Sequence, residues 1–204
     1  MIDKILHDFL IIWATIDPIG TMALFVGLTA KLSAKDRRKT AMKTVLYAAL
    51  ILVGAILVGQ IILNAMGISL LSFQVAGGII LFLFGLQMIF SQGTSNESGE
   101  SRHDISVFPL AIPATASPGA ILAVILITDN HVYTVTEQVL TTATMLSVLL
   151  ATLVLLWFSN SIIKVIGEGG ASLLTRLMGM ILAALSVEFV MEALGIGQWV
   201  NTLT

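Results

Sequence analysis

The chain has 204 residues, of which 57% are hydrophobic and only 11% charged, with ten Lys and Arg against twelve Asp and Glu and a net charge of −2. Soluble domains carry about 25% charged residues, so this composition cannot cover a water-facing surface and excludes a soluble globular protein. There is no cysteine, which excludes disulfides, thiolate metal sites and cysteine nucleophiles.

In chain order, Met1-Ile2-Asp3-Lys4 lacks a net basic lead. The apolar stretch behind it is longer than a signal-peptide core and runs into a basic loop, so it reads as an uncleaved first span at 7–30. The loop over 31–43 holds Lys31, Lys35, Arg37, Arg38, Lys39 and Lys43 with no aromatic residue interleaved for base stacking. Its expected partner is the anionic surface of the lipid bilayer, not nucleic acid. From 44 to 96 no residue is charged, room for two spans of ~20 residues, placed at 42–65 and 69–91. Within them Gly77, Gly78 and Gly85, together with Gly179 and Ala183 further on, are expected to allow close helix packing. Gln60, Asn64, Gln74 and Gln87 are expected to bond neighbouring helices. The segment at 91–100 is small and polar and reads as a mobile linker. Uncharged runs at 105–128 and 138–163 supply spans at 106–128 and 139–163, and a sixth follows at 174–194. His7, His103 and His131 fall at predicted ends or loops without ligand-like spacing and read as surface residues.

Six spans put nine of the ten basic residues on one face and leave Lys4 alone on the other. Positive charge marks the cytoplasmic side. Both termini are therefore expected outside, with the loops near 31–43, 92–105 and 164–176 in the cytoplasm and the chain in the cell's inner membrane.

A shift of 100 residues aligns Leu10-Ile11-Ile12-Trp13-Ala14-Thr15-Ile16-Asp17-Pro18 with Leu110-Ala111-Ile112-Pro113-Ala114-Thr115-Ala116-Ser117-Pro118. Similar shifts pair Gly67-Ile68-Ser69-Leu70-Leu71 with Gly170-Ala171-Ser172-Leu173-Leu174, and Gly77-Gly78-Ile79-Ile80 with Gly179-Met180-Ile181-Leu182. Three spans per copy reverse the second copy in the membrane. The expected fold is an all-α integral membrane protein of six transmembrane helices, a 3+3 inverted-topology repeat forming one domain over 1–204. Repeat one covers 1–91, a cytoplasmic loop 92–105, and repeat two 106–204.

The repeated motif places a proline inside a span, where it removes a backbone donor and clashes with the carbonyl four residues back. Asp and Ser suit the N-cap and proline the first helical position, so helices one and four are expected to break at Asp17-Pro18 and Ser117-Pro118. Two opposed half-helix N-termini would bring positive dipole ends together near the midplane. The carbonyls freed at Ala14 and Ala114 add acceptors, and Gly20 and Gly119 would let a ligand near the backbone. Thr15, Asp17, Pro18, Gly20, Thr115, Ser117, Pro118 and Gly119 form the candidate substrate and ion site. A zwitterionic amino acid suits it, with Asp17 taking a coupling sodium ion or a proton. Glu188, well inside helix six, divides between transport and helix pairing. Glu192 and Arg176 read as interfacial, with gating as the other role for Arg176.

These residues also resemble the MarC family of six-span membrane proteins, which includes neutral amino acid transporters. The likeness is carried by Asp17-Pro18-Ile19-Gly20-Thr21-Met22-Ala23-Leu24-Phe25 and by Phe108-Pro109-Leu110-Ala111-Ile112-Pro113-Ala114-Thr115-Ala116-Ser117-Pro118-Gly119-Ala120. Gly167-Glu168-Gly169-Gly170 and Thr175-Arg176-Leu177-Met178-Gly179 add to it. Ser117 stands where the family pattern has glycine, and Glu188 where an amide is expected. The resemblance implies a secondary transporter of small neutral amino acids such as glycine and alanine, ion- or proton-coupled, with self-association left open. An exporter of other small metabolites or drugs on the same scaffold and a non-transporting scaffold are the alternatives. An enzyme is not expected, because the spans hold no cysteine, no Gly-x-Ser-x-Gly and no pair of aspartates for acid–base work. No phosphate-binding glycine loop with its lysine is present either, and no resident cofactor is implied.

Overall fold

The computed structural model describes residues 2–90 and 104–196. The expected linker at 91–100, with Arg102 and His103, lies outside the described residues. The described elements are α1 (Ile2–Ile16), α2 (Pro18–Thr29), α3 (Ala34–Ala65), α4 (Leu70–Phe90), α5 (Ser106–Thr115), α6 (Pro118–Leu126), α7 (Val135–Gly167) and α8 (Ser172–Ala193). No strand occurs among the described residues.

Helix ends follow local chemistry. Ser33 caps α3, its Oγ accepting from Asp36 N at 3.1 Å. Because that cap lies ahead of the basic run, Lys35 to Lys43 ride on the first turns of α3 instead of a loop, and the helix begins eight residues before its apolar part. Gly67, at φ +69, closes its far end, where Ile68 N reaches back to Leu63 O at 2.9 Å; only glycine enters that left-handed region cheaply. Thr134 and Glu137 form a reciprocal capping box at the start of α7. The stretch expected as a loop near 164–176 is helical, with a break in helical geometry at Gly167, at φ 73 and ψ 166, between α7 and α8. α5 is irregular, with wide turns such as Ala116 N to Ala111 O at 2.8 Å. Phe108 and Ile112 are extended, at φ −127, because each precedes a proline whose ring disfavours the helical region for its neighbour.

Burial is arranged as lipid demands. On α3, Ala41, Thr44, Ala48 and Leu52 are buried, while Leu46, Leu50, Leu57 and Ile61 are exposed. Apart from Leu52, these inward residues are small or polar, and the large apolar ones facing outward are solvated by acyl chains. Glycines set the closest approaches. A Cβ at Gly85 would stand 2.8 Å from Gly179 O and 2.9 Å from Ala183 N, and one at Gly77 would stand 2.6 Å from a Leu122 methyl. These contacts seat α4 between α8 and α6, as the small-residue pattern predicts.

Five stretches are long and apolar enough to cross a membrane, counting α1 with α2 as one of them. The count is six when α5 and α6, bent by 53° at their junction, are taken together as one span. Thr44 Oγ1 of α3 donates to Ser106 O at 3.3 Å, and Gln60 Nε2 of the same helix donates to Ile125 O and Thr128 O, each at 3.3 Å. Residues 44 and 60 are separated by about 24 Å of helix at 1.5 Å per residue, most of a ~30 Å hydrocarbon core. α5–α6 therefore follows α3 in the same direction over that length. α1–α2 leads into the start of α3, so the two broken spans run in opposite directions.

Candidate functional site

Both proline motifs act as helix starts. Asp17 Oδ1 accepts from Gly20 N at 3.0 Å, and Ser117 Oγ accepts from Ala120 N at 2.9 Å. Asp17 reaches this position in the left-handed region, at φ 47 and ψ 70, a conformation that Asp tolerates better than most residues. Ser117 is extended, at φ −67 and ψ 157, the ordinary geometry of a cap.

The two breaks are sewn to each other. Ser117 Oγ donates to Thr15 O at 2.8 Å, and Thr21 Oγ1 donates to Ala114 O at 3.3 Å. Each half-helix thus satisfies a carbonyl that the opposite proline motif leaves without its helical partner. The reciprocal bonds bring the breaks together inside the bundle, with Thr15, Asp17, Thr21, Thr115 and Ser117 all buried.

A cavity of about 300 Å³ opens beside Asp17, lined by Asp17, Gly20, Thr21, Gln87, Ala114 and Thr175 among others. Asp17 is 4% exposed, and a carboxylate at such depth needs a proton, a cation or hydrogen bonds to offset lost hydration. The N-terminus of α2 gives partial compensation through its dipole and the Gly20 bond. Gly20 has no room for a side chain: a Cβ there would stand 2.0 Å from Asp17 Oδ2.

The other expected site residues do not line this cavity. The Thr15 hydroxyl donates to Ile11 O at 2.8 Å and that of Thr115 to Leu110 O at 2.8 Å, each back onto its own helix. Pro18 is buried and Pro118 exposed. The close approach at Gly119 is made by Leu81, whose methyl would stand 2.2 Å from an added Cβ. Arg176 is exposed on α8, while its neighbour Thr175 lines the cavity. Glu188 lines a separate cavity of about 740 Å³, with His7, Gln74, Asp129, Tyr133 and Glu192. There Gln74 Nε2 donates to Glu192 Oε2 at 3.1 Å, pairing α4 with α8.

Three residues carry more than the sequence reading assigned. Gln87 and Thr175 line the Asp17 cavity, which neither a generic span amide nor a helix-start threonine announces. Asp8 is 2% exposed, held by Lys4 Nζ at 2.9 Å and by Thr141 Oγ1 of α7 at 2.5 Å. The four-residue spacing of Lys4 and Asp8 was the available signal. Lys4 also lies 3.9 Å from the centre of the Tyr133 ring. No group of three or more His, Asp or Glu able to hold a metal ion occurs among the described residues.

Comparison with known proteins bears on the whole length. The chain is 32% identical over 193 residues to "UPF0056 inner membrane protein MarC" of Salmonella arizonae, covering 86% of this chain and 87% of that one. The protein of that name from Citrobacter koseri is also 32% identical over 193 residues. A "UPF0056 membrane protein" of Buchnera aphidicola subsp. Schizaphis graminum is 28% identical over 97% of this chain and 98% of its own. No solved structure matches the chain. With inner-membrane relatives and several membrane-spanning helices, this is a multi-pass inner-membrane protein. The profile described as MarC family integral membrane protein matches residues 2–197, and the chain belongs to that family.

Proposed function

We propose that the chain is a secondary transporter of small neutral amino acids, built as a 3+3 inverted-topology repeat, with the Asp17 cavity as its solute site. A sodium ion or a proton at Asp17 couples transport to a gradient. The observation that carries this reading is the buried Asp17 carboxylate at a half-helix start, in the middle of a span and open to a cavity of about 300 Å³. That volume is at the small end of ligand pockets and suits a solute of a few heavy atoms. The opposed broken spans and their reciprocal hydrogen bonds support the inverted repeat.

The local bonds also divide the roles. Gly20 N and Ala120 N are already used by the caps, so the half-helix starts have less to offer a second anion than the bare motif implies. Asp17 is the partner for an ammonium group or a cation, and the Gln87 amide is the donor for a solute carboxylate.

The test is uptake of labelled glycine and alanine into proteoliposomes, with and without sodium and proton gradients. Asp17→Asn keeps a capping oxygen but removes the titratable charge. Gradient-driven uptake should collapse while the unfolding temperature stays near that of the unaltered protein. Normal uptake by Asp17→Asn under every gradient would reduce Asp17 to a helix cap. Failure of the unaltered protein to move any neutral amino acid, with export of other metabolites or drugs, would transfer the scaffold to the exporter reading.

A further inference from the structure

At the basic end of the bundle, away from the Asp17 cavity, the start of α3 and the later turns of α7 enclose a cavity of about 130 Å³. Its walls are Ala34, Arg37, Arg38, Leu156, Trp157 and Asn160. Arg37 Nε is buried and has no hydrogen-bond partner, and among the described residues neither arginine stands in an ion pair. The adjacent acid is engaged elsewhere: Asp36 Oδ2 accepts from Ser33 Oγ at 2.6 Å. No carboxylate lines the cavity.

A guanidinium cannot shed its charge, and a buried donor without an acceptor is costly. An oxyanion with several acceptor oxygens answers both conditions, and two arginines with an amide fit a phosphate better than a single carbonyl. The surroundings narrow the source of that phosphate. Leu150, Val154 and Trp157 repeat at helical spacing on one face of α7 and are 62%, 43% and 44% exposed. They form an apolar stripe that leads from the cavity wall toward the middle of the span. A phosphate above an acyl-chain track is the shape of a phospholipid, and two unopposed cations disfavour a headgroup that carries its own positive charge.

We propose that this cavity binds the phosphodiester of an anionic phospholipid, between Arg37 and Arg38, with an acyl chain along Leu150, Val154 and Trp157. This goes beyond the general attraction of basic segments to anionic membranes, because it requires a built pocket and predicts which charges count.

Trp157 is a natural reporter. In a Trp13→Phe, Trp199→Phe background it is the one remaining tryptophan. The full chain is placed in phosphatidylcholine nanodiscs containing a minor fraction of acyl-brominated phosphatidylglycerol or, in parallel, of equally brominated phosphatidylcholine. Brominated phosphatidylglycerol should quench Trp157 more strongly at equal fraction. Arg37→Gln with Arg38→Gln should weaken that preference by about tenfold or more, and Arg37→Lys with Arg38→Lys should retain part of it if the Gln pair folds poorly. Lys35→Gln with Lys39→Gln removes the same charge from exposed neighbours outside the cavity and should leave the preference intact. Equal quenching by the two lipids overturns the proposal. So does equal loss in the lysine pair, which would mean diffuse attraction, and so does displacement by millimolar inorganic phosphate, which would mean a site for the free anion.

Discussion

At Asp17-Pro18 the chain leaves the helical path for one residue, and α1 with α2 still forms a single stretch of 28 residues long enough to cross a membrane. At Ser117-Pro118 the path bends by 53°, after a segment already opened by two further prolines. Both motifs cap a half-helix by accepting from the N–H three residues on, yet the cap residue itself lines the cavity of about 300 Å³ at Asp17 and not at Ser117. The difference lies in how many oxygens the cap brings. Asp17 has two, and a single oxygen accepts from Gly20 N, so a second remains beside the cavity. Ser117 has one, which accepts from Ala120 N and donates to Thr15 O, and the residue is fully buried. Capping chemistry alone therefore makes a joint; a surplus acceptor next to open space makes a candidate site.

The sharpest way to break that comparison uses the two glycines behind the caps. Gly20→Ala would push a methyl against Asp17 Oδ2, and Gly119→Ala would push one against Leu81. Each should cost about 1–3 kcal/mol of stability from overpacking. Only Gly20→Ala should also abolish coupled uptake, to the extent of Asp17→Asn. Loss of uptake in Gly119→Ala at unchanged thermal stability would hand the site to the second break.

The two broken segments also differ in their ion pairs. Asp8 is buried with Lys4 and Thr141, whereas Lys43 and Asp104 join α3 to the start of α5 with 40% and 42% of their side-chain surface exposed. Asp8→Ala leaves Lys4 without its partner and should cost about 3 kcal/mol in detergent unfolding. A negligible change would show that the Lys4–Asp8 pair does not fasten α1 to α7.

Ser117→Ala comes next. It removes a cap worth about 1 kcal/mol and strips Thr15 O of its hydroxyl donor, worth about another 1 kcal/mol. The unfolding transition should shift accordingly, with uptake retained. Ser117→Gly, the residue expected from the family resemblance, should likewise keep uptake. A transport-dead but stable Ser117 variant would contradict a purely joining role.

The smallest effect is expected at Lys43–Asp104. The Lys43 ammonium, with the Ser106 hydroxyl and N–H, holds the Asp104 carboxyl down at about 2. A carboxyl lowered in the folded state contributes stability above its ordinary value near 3.8, and that contribution is lost as pH falls through about 2. Unfolding temperatures of the unaltered protein and Asp104→Asn should therefore differ slightly at pH 5 and converge toward pH 2, and the gap should shrink in high salt. A gap that persists at pH 2 would mean that Asp104 acts through something other than its charge.

The amino-acid order by itself determined the span stretches, both helix starts and the small-residue packing face of α4. These follow from local rules: apolar length against bilayer thickness, proline's missing donor, and a polar side chain reaching its third neighbour. Local rules also explain where span limits were short, since hydropathy registers only the apolar part and α3 begins eight residues earlier at its Ser33 cap. The tertiary structure decided which parts of the repeated motif meet a cavity. The Thr15 and Thr115 hydroxyls turn back onto their own helices, Leu81 fills the space at Gly119, and Glu188 opens onto a different cavity. It likewise brought Gln87 and Thr175 to Asp17 and buried Asp8 against Thr141. A hydroxyl's bond or a carboxylate's neighbour depends on which helix packs across from it, and residues tens of positions apart meet only when the bundle closes.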